Sequence, residues 1–293
     1  MLGGVFARPG KEEVMRPDGK RVKNADPMYT IVPYIMVKRY DAMNMITVDI
    51  PVEPMQAYRV KARERGHAIS FLALVIAAYS RTVAEFPLLN RFIVNKRIYD
   101  RNEYNVSMVV LKPGEENGTM SKMVFDPGSD VFTVQKIIDE YVSNNRQAGD
   151  NNSTDRLITL LLSMPGLISL VVGVLKWMDK HGWMPRKVID ASPFHTSLVV
   201  SNLASIRTNH IYHHIYDFGT CSVFIAMGNM REVPRRIKGE IVHQRCLPLG
   251  VVMDERICSG SYFAQAFQRQ KTYLEKPELL ETPYVPAQPK EEP

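Results

Sequence analysis

Val251-Val252-Met253-Asp254-Glu255-Arg256-Ile257-Cys258-Ser259-Gly260 reads as an apolar strand, a compact polar turn and the opening of a helix. That helix carries Tyr262, Phe263, Ala266 and Phe267 on one face. A strand end that feeds a helix start is where open α/β sheets place ligands and reactive side chains. The turn offers Asp254, Glu255 and Arg256 but no histidine.

The residues before it are rich in strands. Leu247, Leu249, Val251 and Met253 share one face of a strand over 241–253, entered through a polar hairpin at 235–240. Further strands are expected over 195–202 and 222–227. In the first half, 33–52 is strand-like, and Glu53 to Arg65 reads as a polar helix closed by Gly66. Ile69 to Phe86 is apolar on nearly every face, the mark of a buried helix. Arg91 to Tyr99 forms a hairpin turning at Asn95-Lys96, and Tyr104–Leu111 and Met120–Phe125 are partner strands. A helix runs from Asp130 to about Asn144, followed by a polar loop to Thr154. Residues 1–28 read as a basic, irregular arm and 282–293 as a Pro-rich tail, which leaves 29–281 as the folded domain.

The chain has 293 residues and a net charge of +6, much of it from the six basic residues of the first 23 positions, so a solvated terminus accounts for it. No basic stretch interleaved with aromatics points to nucleic acid. Cys221, Cys246 and Cys258 fit neither a disulfide framework nor zinc spacing, and a reducing, cytoplasmic setting is expected. Leu157 to Leu175 contains no charged residue, but Pro165-Gly166 divides it. Three readings stand for this insertion (155–187): a helical hairpin on the core or on a neighbouring subunit, a contact with a membrane surface, or a span. Lys176, Trp177, Lys180, His181 and Trp183 suit a membrane surface and equally a snorkelling helix end.

The order of motifs resembles the catalytic domain of the 2-oxo acid dehydrogenase acyltransferases (dihydrolipoamide acyltransferases), relatives of chloramphenicol acetyltransferase. That family closes its last strand with Asp-His-Arg-x-x-Asp-Gly, aligned here with Asp254-Glu255-Arg256-Ile257-Cys258-Ser259-Gly260. The following helix ends Leu274-Glu275-Lys276-Pro277-Glu278-Leu279-Leu280, similar to the family's Leu-Glu-x-Pro-Glu-Leu-Leu. Val200-Ser201-Asn202-Leu203, Phe86-Pro87-Leu88-Leu89-Asn90 and Val223-Phe224-Ile225-Ala226-Met227-Gly228 match further segments in the family's order. The resemblance implies an α/β, chloramphenicol acetyltransferase-like two-layer sandwich with a mixed β-sheet, assembled as a homotrimer. Its active site would lie in a channel between subunits, with coenzyme A as cosubstrate and a lipoyl or small-molecule thiol or hydroxyl as acceptor. It assigns Ser201 to steady the oxyanion, Ser201 and Asn202 to contact coenzyme A, and Arg256 with Asp254 to hold the turn. No lipoyl domain is read in this chain, and no metal is expected.

Two positions depart from the family's pattern. Glu255 stands where the family has its histidine, and Ser259 where it has its aspartate. An unperturbed glutamate is about two pKa units more acidic than an imidazole, a base poorer by about 3 kcal/mol unless its surroundings raise it. Serine keeps the helix N-cap but loses the charge. Acyl transfer with Glu255 as general base is therefore set against a catalytically inactive trimeric scaffold or binding protein. His213-His214 near Asp217 are alternative sources of a base or of metal ligands, although adjacent side chains point apart. His195 begins the Ser201 strand about 20 Å away. Cys258 is a candidate nucleophile if Arg256 depresses its pKa.

Overall fold

Period-two patterning in the last third builds the centre of the molecule. The computed structural model describes residues 16–111, 118–147, 163 and 166–285. Along the chain lie β1 (Gly19–Arg21), α1 (Pro27–Ile35), β2 (Met43–Pro51), α2 (Val52–Glu64), α3 (Phe71–Glu85), β3 (Arg91–Val94), β4 (Arg97–Arg101), β5 (Tyr104–Leu111), β6 (Gly118–Phe125), α4 (Val131–Gln147), α5 (Leu167–His181), α6 (Arg186–Ala191), β7 (Leu198–Asn202), β8 (Val223–Met227), β9 (Arg231–Ile237), β10 (Glu240–Asp254) and α7 (Gly260–Glu275).

The main sheet runs β2-β10-β8-β7-β5-β6, with β9 paired to the first half of β10. It is mixed: β7 is parallel to both β5 and β8, and the other pairs are antiparallel. Leu247, Leu249, Val251 and Met253 of β10 join Val223, Ile225 and Met227 of β8 in the large core beneath the helices. Val252, Phe224 and Val199 point to the opposite face, where they form a smaller cluster with Ile215 and Cys221. The expected two-layer α/β sandwich with a mixed sheet is what the chain forms.

Helix α3 is the centre of the helical layer. Ser70 caps it by accepting from the Ala73 N–H at 3.0 Å, and every residue from Leu72 to Val83 is buried. A helix apolar all round must be covered all round. The sheet, α4 and α7 supply that cover. Two of its polar side chains are tied to main chain: Thr82 donates to the Ala78 carbonyl at 2.8 Å, and the Ser80 hydroxyl accepts from the Gly128 N–H at 3.1 Å, while the buried Tyr79 hydroxyl has no hydrogen-bond partner among the described residues.

The amino-terminal region departs from its sequence reading in two places. Within the stretch read as an arm, Gly19–Arg21 is a strand paired to β4, and Arg16 is buried. The stretch read as strand over 33–52 begins instead as helix α1, with Asp26 accepting from the Met28 N–H, and becomes strand only at Met43. Pro33 is part of this helix. It lies inside α1, toward its end, and its missing N–H leaves only the Tyr29 carbonyl without its helical donor.

The loop after β7 crosses the face of the sheet opposite the helices, because two glycines let it lie close. A Cβ on Gly250 would meet the Ile211 carbonyl oxygen at 2.6 Å, and one on Gly228 the His210 nitrogen at 2.2 Å. Thr47 ties the loop down from below through His210 Nε2 at 3.0 Å.

Of the uncharged run 157–175, residues 157–162 and 164–165 lie outside the described residues, as do most of the polar loop to Thr154 and 286–293 of the tail. Among the described residues, no helix is long and apolar enough to cross a membrane. Helix α5 begins within that run and buries only Asp179. That carboxylate meets Arg16 Nη2 at 2.8 Å and His195 Nε2 at 3.3 Å. Burial alone would raise the Asp179 pKa, but His195 and Arg16 outweigh it and hold it below the usual carboxylate range. A depressed carboxylate adds stability that is complete above its unfolded value, about 3.9, and is lost as pH falls through the folded value. Urea unfolding from pH 6 down to pH 3 should therefore show the wild type losing more stability below about pH 4 than Asp179→Asn does. Equal losses would remove this carboxylate from the account.

Candidate active site

Strand β10 delivers Asp254, with 0% exposure, to the end of the sheet. A lone buried carboxylate is costly, and this one is held by two buried arginines. Arg256 donates from Nε to Oδ1 at 2.8 Å and from Nη2 to Oδ2 at 2.7 Å, and its backbone N–H reaches Oδ1 at 3.1 Å. Arg39 Nε stands 3.5 Å from Oδ2. The remaining donors of both arginines go to main-chain oxygens. Arg39 reaches the carbonyls of Tyr216, Gly219 and Ile93, and Arg256 those of Met36 and Val37. Burial pulls the Arg39 pKa below its ordinary value, partly offset by Asp254. The turn is thus bound to three other segments, 36–39, β3 and 216–219, around one carboxylate.

Glu255 is placed by that anchor and is half-buried. Its N–H donates to the Ala42 carbonyl at 2.9 Å, and its Oε2 accepts from Asn44 Nδ2 at 2.6 Å. Asn44 faces Met253 across the β2–β10 ladder, so the strand register brings the amide to the carboxylate. Ser259 caps α7, its hydroxyl accepting from the Tyr262 N–H at 3.1 Å. Helix α7 then buries Phe263, Ala266, Phe267 and Leu274, which fixes the far side of the turn.

Ser201 lies at the other end of the sheet. It pairs with Ala226, and Ala226 pairs with Gly250, five residues before Glu255 on β10. At strand rise that separation is about 17 Å, far beyond hydrogen-bond reach. One chain therefore does not unite Ser201 and Asn202 with Glu255.

The alternative candidates are placed elsewhere. Cys258 is buried, and burial pushes its thiol up to about 12, so it is a core thiol at neutral pH rather than a nucleophile. His213 stacks on Phe224 with ring centres 4.3 Å apart, and burial lowers its pKa. Asp217 is occupied, accepting from the Arg39 N–H at 2.9 Å and lying 3.5 Å from Lys38 Nζ. Among the described residues, no group of side chains is arranged to hold a metal ion. His195 is fully buried and meets Ser192 Oγ at 2.7 Å, away from Ser201. Sequence reading missed Arg39 and Asn44. Asn44 was visible only as one polar position in a loosely alternating strand, and nothing in the sequence marks Arg39 as buried.

Residues 195–282 match the family described as 2-oxoacid dehydrogenases acyltransferase (catalytic domain). No curated protein matches the chain. Among solved structures, a protein described as a probable dihydrolipoamide acetyltransferase from Listeria monocytogenes is similar with a TM-score of 0.56 and 14% identity, over 88% of this chain and 94% of that one. A chloramphenicol acetyltransferase is similar with a TM-score of 0.54 and 11% identity, over 87% of this chain and 99% of the other. The truncated catalytic core of the 2-oxoacid dehydrogenase multienzyme complex from Thermoplasma acidophilum gives 0.53 and 13%, over 88% and 99%. The chain has the fold of these acyltransferase cores. At such identities the likeness speaks for the fold, and the chemistry has to be argued from the turn itself.

Asp254 and Glu255 should respond very unequally to neutralisation. Asp254→Asn leaves two buried arginines short of a counter-charge and should cost about 3–5 kcal/mol, or prevent folding. Glu255→Gln keeps the size of a half-buried side chain and should change stability by less than about 1 kcal/mol. Urea unfolding of both variants checks this, and similar costs would contradict the anchoring role of Asp254.

Proposed function

We propose that this protein is an acyltransferase working between coenzyme A and a thiol or hydroxyl acceptor, in a channel completed by a second copy of the chain. The observation that carries the reading is the anchored turn. Two buried arginines fix Asp254, and the fixed strand end presents the Glu255 carboxylate at the surface of an acetyltransferase fold. The unit that performs this is residues 29–281, braced by the β1 strand and the buried Arg16 that precede it.

The register argument supports the second copy. Ser201 and Glu255 are about 17 Å apart within one chain, so an oxyanion donor and a base can share a substrate only when they come from different chains. Ile31, Tyr34 and Ile35 of α1, Met45 and Ile46 of edge strand β2, and Ile211 and Tyr212 of the crossing loop are all exposed apolar surface. Such apolar surface, with a strand edge that is unpaired among the described residues, is suited to subunit contact. A homotrimer is the assembly we propose.

In the reaction, the Glu255 carboxylate removes the proton of the acceptor thiol or hydroxyl as its sulfur or oxygen attacks the thioester carbonyl. The Ser201 hydroxyl donates to the oxyanion of the tetrahedral intermediate. Collapse expels the coenzyme A thiolate, which takes the proton back from Glu255. Arg256 and Asp254 are positioning residues, since they hold the turn and do not face the reacting atoms. Asn44 orients the carboxylate through its amide.

Acyl-coenzyme A transfer to a dihydrolipoyl or small-thiol acceptor tests the reading. Glu255→Gln should lower kcat/KM by about a hundredfold or more with the fold retained, and Ser201→Ala by about a hundredfold. Wild type and both variants all at the uncatalysed rate would replace this reading with that of a trimeric scaffold.

A further inference from the structure

Behind the anchored turn is a cavity of about 320 Å³ that touches Arg39 and Arg256 but is lined by neither Glu255 nor Ser201. Its walls are the 37–39 segment, the β3–β4 turn, the 217–219 loop and one side of α5. Lys38, Lys96, Lys176 and Lys180 line it together with the two arginines, against only Asp179 and Asp217. Both carboxylates are already engaged, Asp179 with Arg16 and His195 and Asp217 with Lys38 and the Arg39 N–H. Among the described residues, Lys96, Lys176 and Lys180 have no carboxylate partner. Arg39 is buried, and its Nε has no hydrogen-bond partner. Asp254 balances part of the charge of the two arginines, and among the described residues the three lysines leave the cavity with positive charge that no carboxylate neutralises.

Helix α5 forms one wall and explains the kind of anion. Leu170, Val174 and Trp177, at i, i+4 and i+7, make an apolar ridge exposed at 65%, 47% and 50%. Lys176 and Lys180 flank that ridge and turn toward the cavity. At the end of the helix, Trp177 meets Trp183 edge-on at 5.0 Å and His181 at 4.7 Å. Fifteen residues make about 22 Å of helix, too short to cross a bilayer core of about 30 Å. An apolar ridge edged by lysines and ending in exposed tryptophans fits the boundary between headgroups and acyl chains.

We propose that the cavity binds the phosphate headgroup of an anionic phospholipid while the α5 ridge lies at the acyl boundary, holding the protein on a membrane surface. A soluble phosphate ligand would use the lysines and leave the ridge uncovered. Two copies meeting ridge to ridge would cover the ridge and leave the lysines of the cavity without an anion. The lipid surface satisfies both features at once. The proposal does not depend on acyl transfer, and its failure would leave that reading untouched.

Flotation of the full chain with vesicles of phosphatidylcholine alone, and with phosphatidylglycerol added, tests it. The protein should rise with the anionic vesicles, remain behind with the neutral ones and come off in high salt. Trp177 and Trp183 emission should shift to the blue with the anionic vesicles only. Lys176→Ala and Lys180→Ala should each weaken association about fivefold. These lysines are exposed, so an unchanged unfolding transition will show that the variants fold. Flotation with neither vesicle, equal flotation with both, or binding of inorganic phosphate without vesicle binding would each overturn the proposal. Self-association through the ridge, seen as a larger particle dispersed by Trp177→Glu, or a ridge covered by residues 148–165 of the same chain, seen as tryptophan emission indifferent to vesicles, would also overturn it.

Discussion

The Asp254 carboxylate, shared between Arg256 and Arg39 at the buried end of β10, is the contact on which the rest of the site depends. Its energetic sign is set by geometry. Two buried guanidinium groups around one carboxylate would be unfavourable if their other donors were left empty. Their outward Nη donors are filled by carbonyls from 36–37, Ile93, Tyr216 and Gly219, and only Arg39 Nε, 3.5 Å from Asp254, lacks a hydrogen bond, so the cluster is a network instead of an isolated ion pair. In doing so it fastens the strand end, the β3 hairpin and the loop that crosses the sheet into one body. Glu255 inherits its position from that body, with Asn44 and the Ala42 carbonyl supplying the last constraints.

The sheet then decides what the site lacks. Register is an integer property, and the pairings Ser201–Ala226 and Ala226–Gly250 leave no freedom to bring Ser201 to the Glu255 end of the same chain. The exposed apolar side chains of α1, β2 and the crossing loop are the surface that the proposed trimer would cover. The lysine-lined cavity beside α5 is a separate feature. It touches the arginine network from behind, and any ligand there would press on the same loop that Arg39 holds.

Legibility in the sequence followed the strength of the local pattern. The β10 face, the buried α3 and the Asn95-Lys96 hairpin were all readable, because period-two alternation, an uninterrupted apolar helix and a two-residue turn each leave a local signature. Helix α1 was not readable, since Pro33 argues against a helix and only the distant packing of the chain permits it there. The Asp254–Arg256 pair was legible as a motif. Arg39 was not, because its partners lie in segments far away in sequence and an arginine is ordinarily a surface residue. The histidines and Cys258 show the same limit from the other side. Their chemistry drew attention, but a ring stacked on Phe224 and a thiol buried beside the turn are packing elements.

The central claim, a site divided between two copies of the chain, is tested most directly by mixing two inactive variants. Glu255→Gln and Ser201→Ala, unfolded together and reassembled in equal amounts, would form mixed trimers that each contain one site with both native residues. The account predicts recovery of about a quarter of wild-type transfer activity from the mixture, with neither variant active alone. No recovery from a mixture shown to contain mixed trimers would contradict it.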